Sequence, residues 1–328
     1  MRPFVAPSSA AGRSEREQFA SDVEYYLSLT PKQLPSRYLY DPLGSALFEA
    51  ICHLPWYRIT RTELDLLSRR AREILAHVEP LSTLVELGPG SGEKLATLVE
   101  GRRGNQHLTV HLIDVSASAL TLAGRTVGGL DHVDVVPHQA AYEAGLAEAV
   151  AYPSRAGRRL TLFLGSNLGN FDPPGADALL RNVRAALGAG DAFLVGTDLV
   201  KPERDLLLAY DDPLGVTAAF NRNLLVRINR ELDADFDVAA FHHRALWNAG
   251  ESRVEMHLVA GSPQQVRVAA ASLELTFDAG ETIWTESSYK YHPAGVVQTL
   301  ERAGFRAMGQ WVDRENGFAL TLAEVSSR

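Results

Sequence analysis

Apolar positions along the chain fall into two regimes. From Glu15 to Val78 they recur at helical spacing. Glu15 to Leu29 carries Phe19, Val23 and Tyr26 on one face of an amphipathic helix. Thr30-Pro31 closes it, and Pro35 and Pro42 punctuate a loop before a second helix over about Gly44 to Leu54. A third, from about Thr60 to Val78, offers Leu64, Leu66, Leu67, Ile74 and Leu75 for burial. Beyond Pro80 the pattern changes to short apolar runs separated by helical stretches. Strands are predicted over 83–87, 107–113, 132–136, 160–164 and 192–196, with helices over 93–100, 116–127 and 176–187 between them. Strands alternating with helices of this length predict a parallel sheet covered on both faces. The stretch 205–241 reads as mostly helical and polar. Strands are then predicted over 253–259, 265–270, 273–277 and 282–289. A helix over 295–303 and strands over 305–312 and 317–323, joined at Glu315-Asn316-Gly317, return the tail to α/β character.

Composition narrows the function. The chain has 328 residues, 46% hydrophobic and 22% charged, with a net charge of −8. That charge argues against a nucleic-acid partner, which needs a basic footprint, and favours small-molecule chemistry. Cys52 is the only cysteine, so no internal disulfide forms; within the run Phe48 to Leu54 it reads as a small core hydrophobe. The first 13 residues read as a flexible start with no signal-peptide run. No segment approaches the roughly 20 apolar residues of a membrane span, so a cytoplasmic location without membrane contact is expected. His107 with His111, and His242 with His243, lack a third ligand at metal-site spacing, and no metal is expected.

Candidate chemistry begins at Glu86-Leu-Gly88-Pro-Gly90-Ser-Gly92-Glu-Lys94, a glycine loop between a strand and a helix. Such loops let backbone approach a ligand closely. Asp114 ends the next strand, where a carboxylate can take both hydroxyls of a ribose. The spacing is G-x-G-x-G rather than the G-x-G-x-x-G of a pyrophosphate site, and Glu86 would repel a pyrophosphate. A sulfonium cofactor tolerates that carboxylate, and Lys94 can meet its methionyl carboxylate. The terminal hairpin suits the antiparallel last strand of class I methyltransferases. S-adenosylmethionine is therefore favoured over NAD.

These stretches resemble the ergothioneine-pathway L-histidine Nα-methyltransferases, which convert histidine to trimethylhistidine (hercynine). The resemblance is carried by Tyr40-Asp41-Pro42-Leu43-Gly44-Ser45, Leu54-Pro55-Trp56-Tyr57, Val85-Glu-Leu-Gly88, Phe163-Leu-Gly-Ser-Asn-Leu-Gly-Asn170, Gly196-Thr-Asp-Leu-Val-Lys201, Ala209-Tyr-Asp-Asp-Pro213, Phe220-Asn-Arg-Asn223, Glu231 to Phe236, Val254-Glu-Met256 and Thr285-Glu-Ser-Ser288. It implies an α/β protein with two parts. One is a class I, Rossmann-like methyltransferase core with a mixed sheet, over 60–199 and 288–328. The other is an α+β substrate-binding domain over 14–59 and 200–287.

The resemblance also implies roles. Gly88, Lys94 and Asp114 would hold the cofactor, with Ala141 and Tyr142 at the adenine and Tyr40 near the methionyl end. Asn170 and Tyr210 would bind the α-amino and carboxylate groups of histidine, with Tyr57 lining the same pocket. Glu286 and Ser288 would grip the imidazole, and Met256 would pack against it. Asn170, Tyr210 and Tyr57 are the expected catalytic residues, acting by positioning rather than as a strong base. A monomer is expected. Two positions depart from the family pattern. Ala141 replaces an aspartate before the aromatic residue at the adenine, and Trp56-Tyr57-Arg58-Ile59 replaces Glu-Tyr-Tyr-Pro. The alternatives are the same chemistry on tryptophan, tyrosine or premethylated histidine, a cofactor-binding protein without turnover, and an NAD oxidoreductase.

Overall fold

A computed structural model describes residues 14–104, 106–153 and 155–325; the expected flexible start lies outside them. The chain divides into two compact units, one of residues 14–58 and 202–289 and the other of 59–201 and 290–325.

The larger unit is built on a seven-stranded sheet. Its strands lie in the spatial order Phe305–Asp313, Phe318–Val325, Ala192–Asp198, Arg158–Phe163, Leu81–Leu87, Leu108–Asp114, Val133–Gln139. The five central and far strands run parallel, whereas Phe318–Val325 runs antiparallel to both of its neighbours. The order reverses between Leu81–Leu87 and Arg158–Phe163. Ligand crevices of doubly wound sheets open beside such a reversal, at the carboxyl ends of the strands. Leu81–Leu87 and Ala192–Asp198 are buried at every position, as strands covered on both faces must be. Pro137 is tolerated in Val133–Gln139 because that strand is the sheet edge. Helices Ile59–Ala76, Glu93–Glu100, Ala117–Gly128, Tyr142–Ala151, Pro173–Ala186 and Pro293–Arg302 complete this unit.

The smaller unit has a four-stranded sheet in the order Lys32–Gln33, Thr282–Tyr289, Arg253–Ala260, Phe241–Asn248, and a separate hairpin of Gln264–Val268 with Leu273–Phe277. Its helices are Glu15–Leu27, Pro42–His53, Glu203–Tyr210 and Val216–Leu232.

Several predicted features are corrected. The helix Tyr142–Ala151 is absent from the sequence reading because its alanine-rich run, with Gly145 inside, lacks a stripe of large apolar residues. The helical reading of 205–241 ends at Leu232, and Phe241–Asn248 is a strand whose alternation is masked by its two histidines. The first helix buries Phe19, Ala20, Val23 and Leu27, while Tyr26 is only half-buried. Cys52 is half-buried rather than core.

Candidate active site

In the larger unit the glycine loop leaves Leu81–Leu87 and enters the helix Glu93–Glu100. The Gly88 N–H bonds to the Ile113 carbonyl at 2.8 Å, fixing the loop to the next strand. Gly88 has φ +72°, and a Cβ there would stand 2.9 Å from the Tyr142 hydroxyl and 3.2 Å from Asn167 Nδ2. Gly92, at φ +77°, lies against the backbone of Ala123, 2.9 Å from where its own Cβ would stand. Neither position accepts a side chain. Gly88 thus brings Tyr142 and Asn167 to the mouth of the loop.

Asp114 ends its strand and accepts the Ser116 N–H at 2.8 Å. Burial raises its pKa against that bond and one from Val115. Tyr142 opens its helix with its ring 5.4 Å from Phe163, and burial raises its phenol above the ordinary range. Ala141 is the N-cap of that helix and supplies no side-chain cap.

Two buried glutamates flank Lys94. The Glu63 carboxylate is fully buried, 2.7 Å from Lys94 Nζ, and both of its oxygens lie within 2.9 Å of the Gly165 N–H. Glu86 is 1% exposed. Burial lifts its pKa to about 8, with Lys94 opposing and Glu63 adding. Burial thus disfavours the charged form of this carboxyl, which weakens the repulsion invoked against a pyrophosphate. Glu86 Oε2 is a buried oxygen without a hydrogen-bond partner among the described residues.

After Gly165 the chain passes Ser166, at φ +58°, into a 3₁₀ turn, Asn167–Asn170. The turn is fastened by Ser166 Oγ, which accepts the Asp198 N–H at 2.9 Å, and by the Tyr291 hydroxyl, which donates to the Leu168 carbonyl at 3.1 Å. Asn170 ends the turn and is exposed.

The smaller unit gathers the other predicted residues. Glu286 and Ser288 are two apart on Thr282–Tyr289 and so share a face. Met256 pairs directly with Glu286 across the ladder, beyond a bulge between Trp284 and Glu286. Bulges of this kind re-aim side chains beside functional sites. The Tyr210 hydroxyl, at the end of Glu203–Tyr210, donates to Ser288 Oγ at 2.8 Å. The Tyr57 ring stands 6.3 Å from that of Tyr210 and 6.2 Å from Phe48. Phe48 leads on to Tyr40, 5.5 Å away, and Tyr40 also meets Phe220 at 5.5 Å. Tyr57, Tyr210, Met256, Glu286 and Ser288 are all buried.

Three supports escaped the sequence reading. His243 donates from Nε2 to the Tyr210 carbonyl at 2.8 Å, with Nδ1 accepting from Asn221 Nδ2 at 2.9 Å. This holds the helix end that carries Tyr210. Asp41 caps Pro42–His53 by accepting the Gly44 N–H at 2.7 Å, and also takes Asn223 Nδ2 at 2.7 Å and Arg230 at 2.8 Å. Two of the sequence motifs therefore meet at the residue after Tyr40. The third is Glu63. It stands four residues from both Ile59 and Leu67 on the buried stripe of Ile59–Ala76, and a charge on such a stripe is the signal that could have found it. Asp212 accepts the N–H groups of Leu214, Val216 and Thr217 at the start of Val216–Leu232. Among the described residues no group of three or more histidines, cysteines and carboxylates is arranged to hold a metal.

Comparison with known proteins now bears on this geometry. Residues 19–325 match the family described as histidine-specific methyltransferase, SAM-dependent. The chain belongs to that family. This methyltransferase is 43% identical over 325 residues to the histidine N-alpha-methyltransferase of Mycolicibacterium smegmatis, covering 98% of this chain and 97% of that one. To the histidine N-alpha-methyltransferase of Mycobacterium tuberculosis it is 43% identical over 304 residues, covering 92% and 93%. To the ergothioneine biosynthesis protein 1 of Schizosaccharomyces pombe it is 26% identical over 294 residues, covering 87% of this chain and 38% of that protein. The chain is thus an S-adenosylmethionine-dependent methyltransferase of class I architecture, and the NAD reading is set aside. The donor set fits the cofactor. A carboxylate ends the second parallel strand, a glycine loop leaves room at Gly90, where no atom lies within 4 Å of a would-be Cβ, and Lys94 stands at the loop's far end. Among the described residues no helix is long and apolar enough to cross a membrane.

Proposed function

We propose that this enzyme methylates the α-amino nitrogen of free L-histidine three times, giving trimethylhistidine for ergothioneine biosynthesis. The observation that carries the reading is the buried group of Glu286, Ser288, Met256 and Tyr210, joined by the Tyr210–Ser288 hydrogen bond. An imidazole offers an N–H that the Glu286 carboxylate accepts, and Ser288 serves the other ring nitrogen. Met256 supplies an apolar wall. An indole would leave Ser288 without a ring partner and bring a larger ring against Met256.

Gly88, Lys94, Asp114, Ala141, Tyr142 and Tyr40 are assigned to S-adenosylmethionine, which supplies an electrophilic methyl group when bound. Asp114 takes the ribose hydroxyls, Tyr142 borders the adenine and Lys94 meets the methionyl carboxylate. Asn170, Tyr210 and Tyr57 orient the amine. Before each transfer the amine would give up its proton to solvent, and the bound cofactor would supply the methyl group to the nitrogen that these residues hold. Neutral orienting groups suit this chemistry, because a carboxylate at the amine would hold it as the unreactive ammonium. Positioning of this kind is a large share of catalysis by enzymes whose cofactor carries the reactive group. A monomer acting in the cytoplasm, without nucleic acid or membrane, is in keeping with the acidic charge and the single cysteine.

The test is mass spectrometry of products after incubation with S-adenosylmethionine and an equimolar mixture of the common amino acids. Trimethylated histidine as the dominant product is the expected result. Methylation of a different amino acid would refute the assignment of Glu286, and arrest at a mono- or dimethylated stage would refute the third transfer.

A further inference from the structure

Lys94 is not an isolated cation waiting for a carboxylate. Its ammonium is held 2.7 Å from Glu63, whose side chain is wholly buried. The same carboxylate takes the Gly165 N–H with both oxygens, at 2.9 and 2.8 Å. Gly165 is the residue before Ser166 and the turn Asn167–Asn170, and it has φ +75°. A Cβ on Gly165 would stand 3.0 Å from Lys94 Nζ, so lysine, loop and carboxylate are in mutual contact. Room for Glu63 is made by Gly196, where a Cβ would fall 1.9 Å from Glu63 Oε1.

A buried carboxylate survives only when its desolvation is offset by an opposite charge and by hydrogen bonds, and removing a partner costs heavily. Glu63 has both, one drawn from the helix after the glycine loop and the other from the loop after Arg158–Phe163. The helix Ile59–Ala76 that carries Glu63 contributes no other residue to the assigned site. Its carboxylate ties the lysine assigned to the methyl donor to the turn that presents Asn170.

We propose that Glu63 is a positioning residue that aims Lys94 at the methionyl carboxylate and holds the Gly165–Asn170 loop in register with it. Without Glu63 the flexible lysine stem has many rotamers to lose on binding. This rests on the assignment of Lys94 to the cofactor.

The experiment is a double-mutant cycle read by calorimetric titration of S-adenosylmethionine into wild type, Glu63→Gln, Lys94→Met and the double variant, with no turnover required. Glutamine keeps the volume and an acceptor for Gly165 but loses the ion pair. Glu63→Gln is expected to weaken cofactor binding about tenfold, the size of one charge-assisted bond. In the Lys94→Met background the same change should have no further effect. A residue that merely supports the fold would instead give losses that multiply. Wild-type affinity in Glu63→Gln, or multiplying losses, overturns the inference. Wild-type affinity in Lys94→Met overturns the assignment beneath it. Should Glu63→Gln not fold, Glu63→Asp serves in its place. It keeps the charge but is one methylene short of reaching both partners, and unchanged binding in it overturns the inference equally.

Discussion

The two units place their functional groups by different rules. In the larger one, Gly88, Asp114 and the Gly165 loop all follow the carboxyl ends of parallel strands, where a doubly wound sheet opens its crevice whatever the chemistry. In the smaller one, Glu286, Ser288 and Met256 come from paired antiparallel strands, displaced by a bulge, and Tyr210 comes from a helix end fixed by His243. No general rule of architecture marks those positions. The first arrangement belongs to a fold and serves any adenosine cofactor. The second, on the proposed assignment, is specific to one substrate. Cofactor binding and substrate choice should therefore respond to separate sets of substitutions.

The largest effect is expected from Asp114→Ala, which on the proposed assignment would remove two charge-assisted bonds to a ribose. At about 1.5–3 kcal/mol each, cofactor affinity should fall about a hundredfold or more. Titration calorimetry should find histidine binding by the free enzyme unchanged; an equal loss there would break the division between the units. A pH scan of stability bears on the larger unit when wild type is compared with a variant at His111. His111 is held down to about 4, first by burial and then by His138 and Arg159, against about 6.5 for an unfolded histidine. A histidine with a depressed folded pKa contributes stability that is complete above about 6.5 and lost as pH falls to about 4. The loss amounts to up to roughly 3 kcal/mol. Denaturant unfolding of His111→Gln at pH 7 and pH 4.5 should show a smaller difference than wild type does, and an identical difference would contradict this account.

Glu286→Ala should cost histidine about ten- to a hundredfold in affinity and shift preference toward apolar or aromatic amino acids, with cofactor affinity intact. Unchanged preference in a competition assay would remove Glu286 from the site. Tyr210→Phe loses its bond to Ser288, and roughly fivefold in the KM for histidine is expected from about 1 kcal/mol. The smallest effect is a gain. Ala141→Asp supplies the missing N-cap of Tyr142–Ala151, worth about 1 kcal/mol or about 2–4 °C in Tm. No rise in a thermal melt would mean that the helix start is satisfied by another group.

This contrast also explains what could be read from the chain. The alternation of strands and helices, the glycine loop and Asp114 were legible because periodicity and strand-end position carry them. Glu286, Met256, Tyr210 and Asn170 are ordinary strand, helix-end and turn residues when taken singly, and only the family resemblance singled them out. Glu63, His243 and Asp41 were missed because they act through other residues. Their partners are Lys94, Tyr210 and the helix start after Tyr40, and in the first two cases the partner lies far away in the chain. The strand Phe241–Asn248 was lost for the related reason that His243, which looks polar, is an inward-facing residue.

The close seating of Glu63 on Gly196 bears on how this sequence can drift. With Glu63 in place, any side chain at position 196 meets its carboxylate, at 1.9 Å for a methyl group alone. Neither site can wander by itself: a larger residue at 196 is viable only after 63 has shortened, and by then Lys94 has lost its companion. The two positions, 133 residues apart in the chain, are expected to change together.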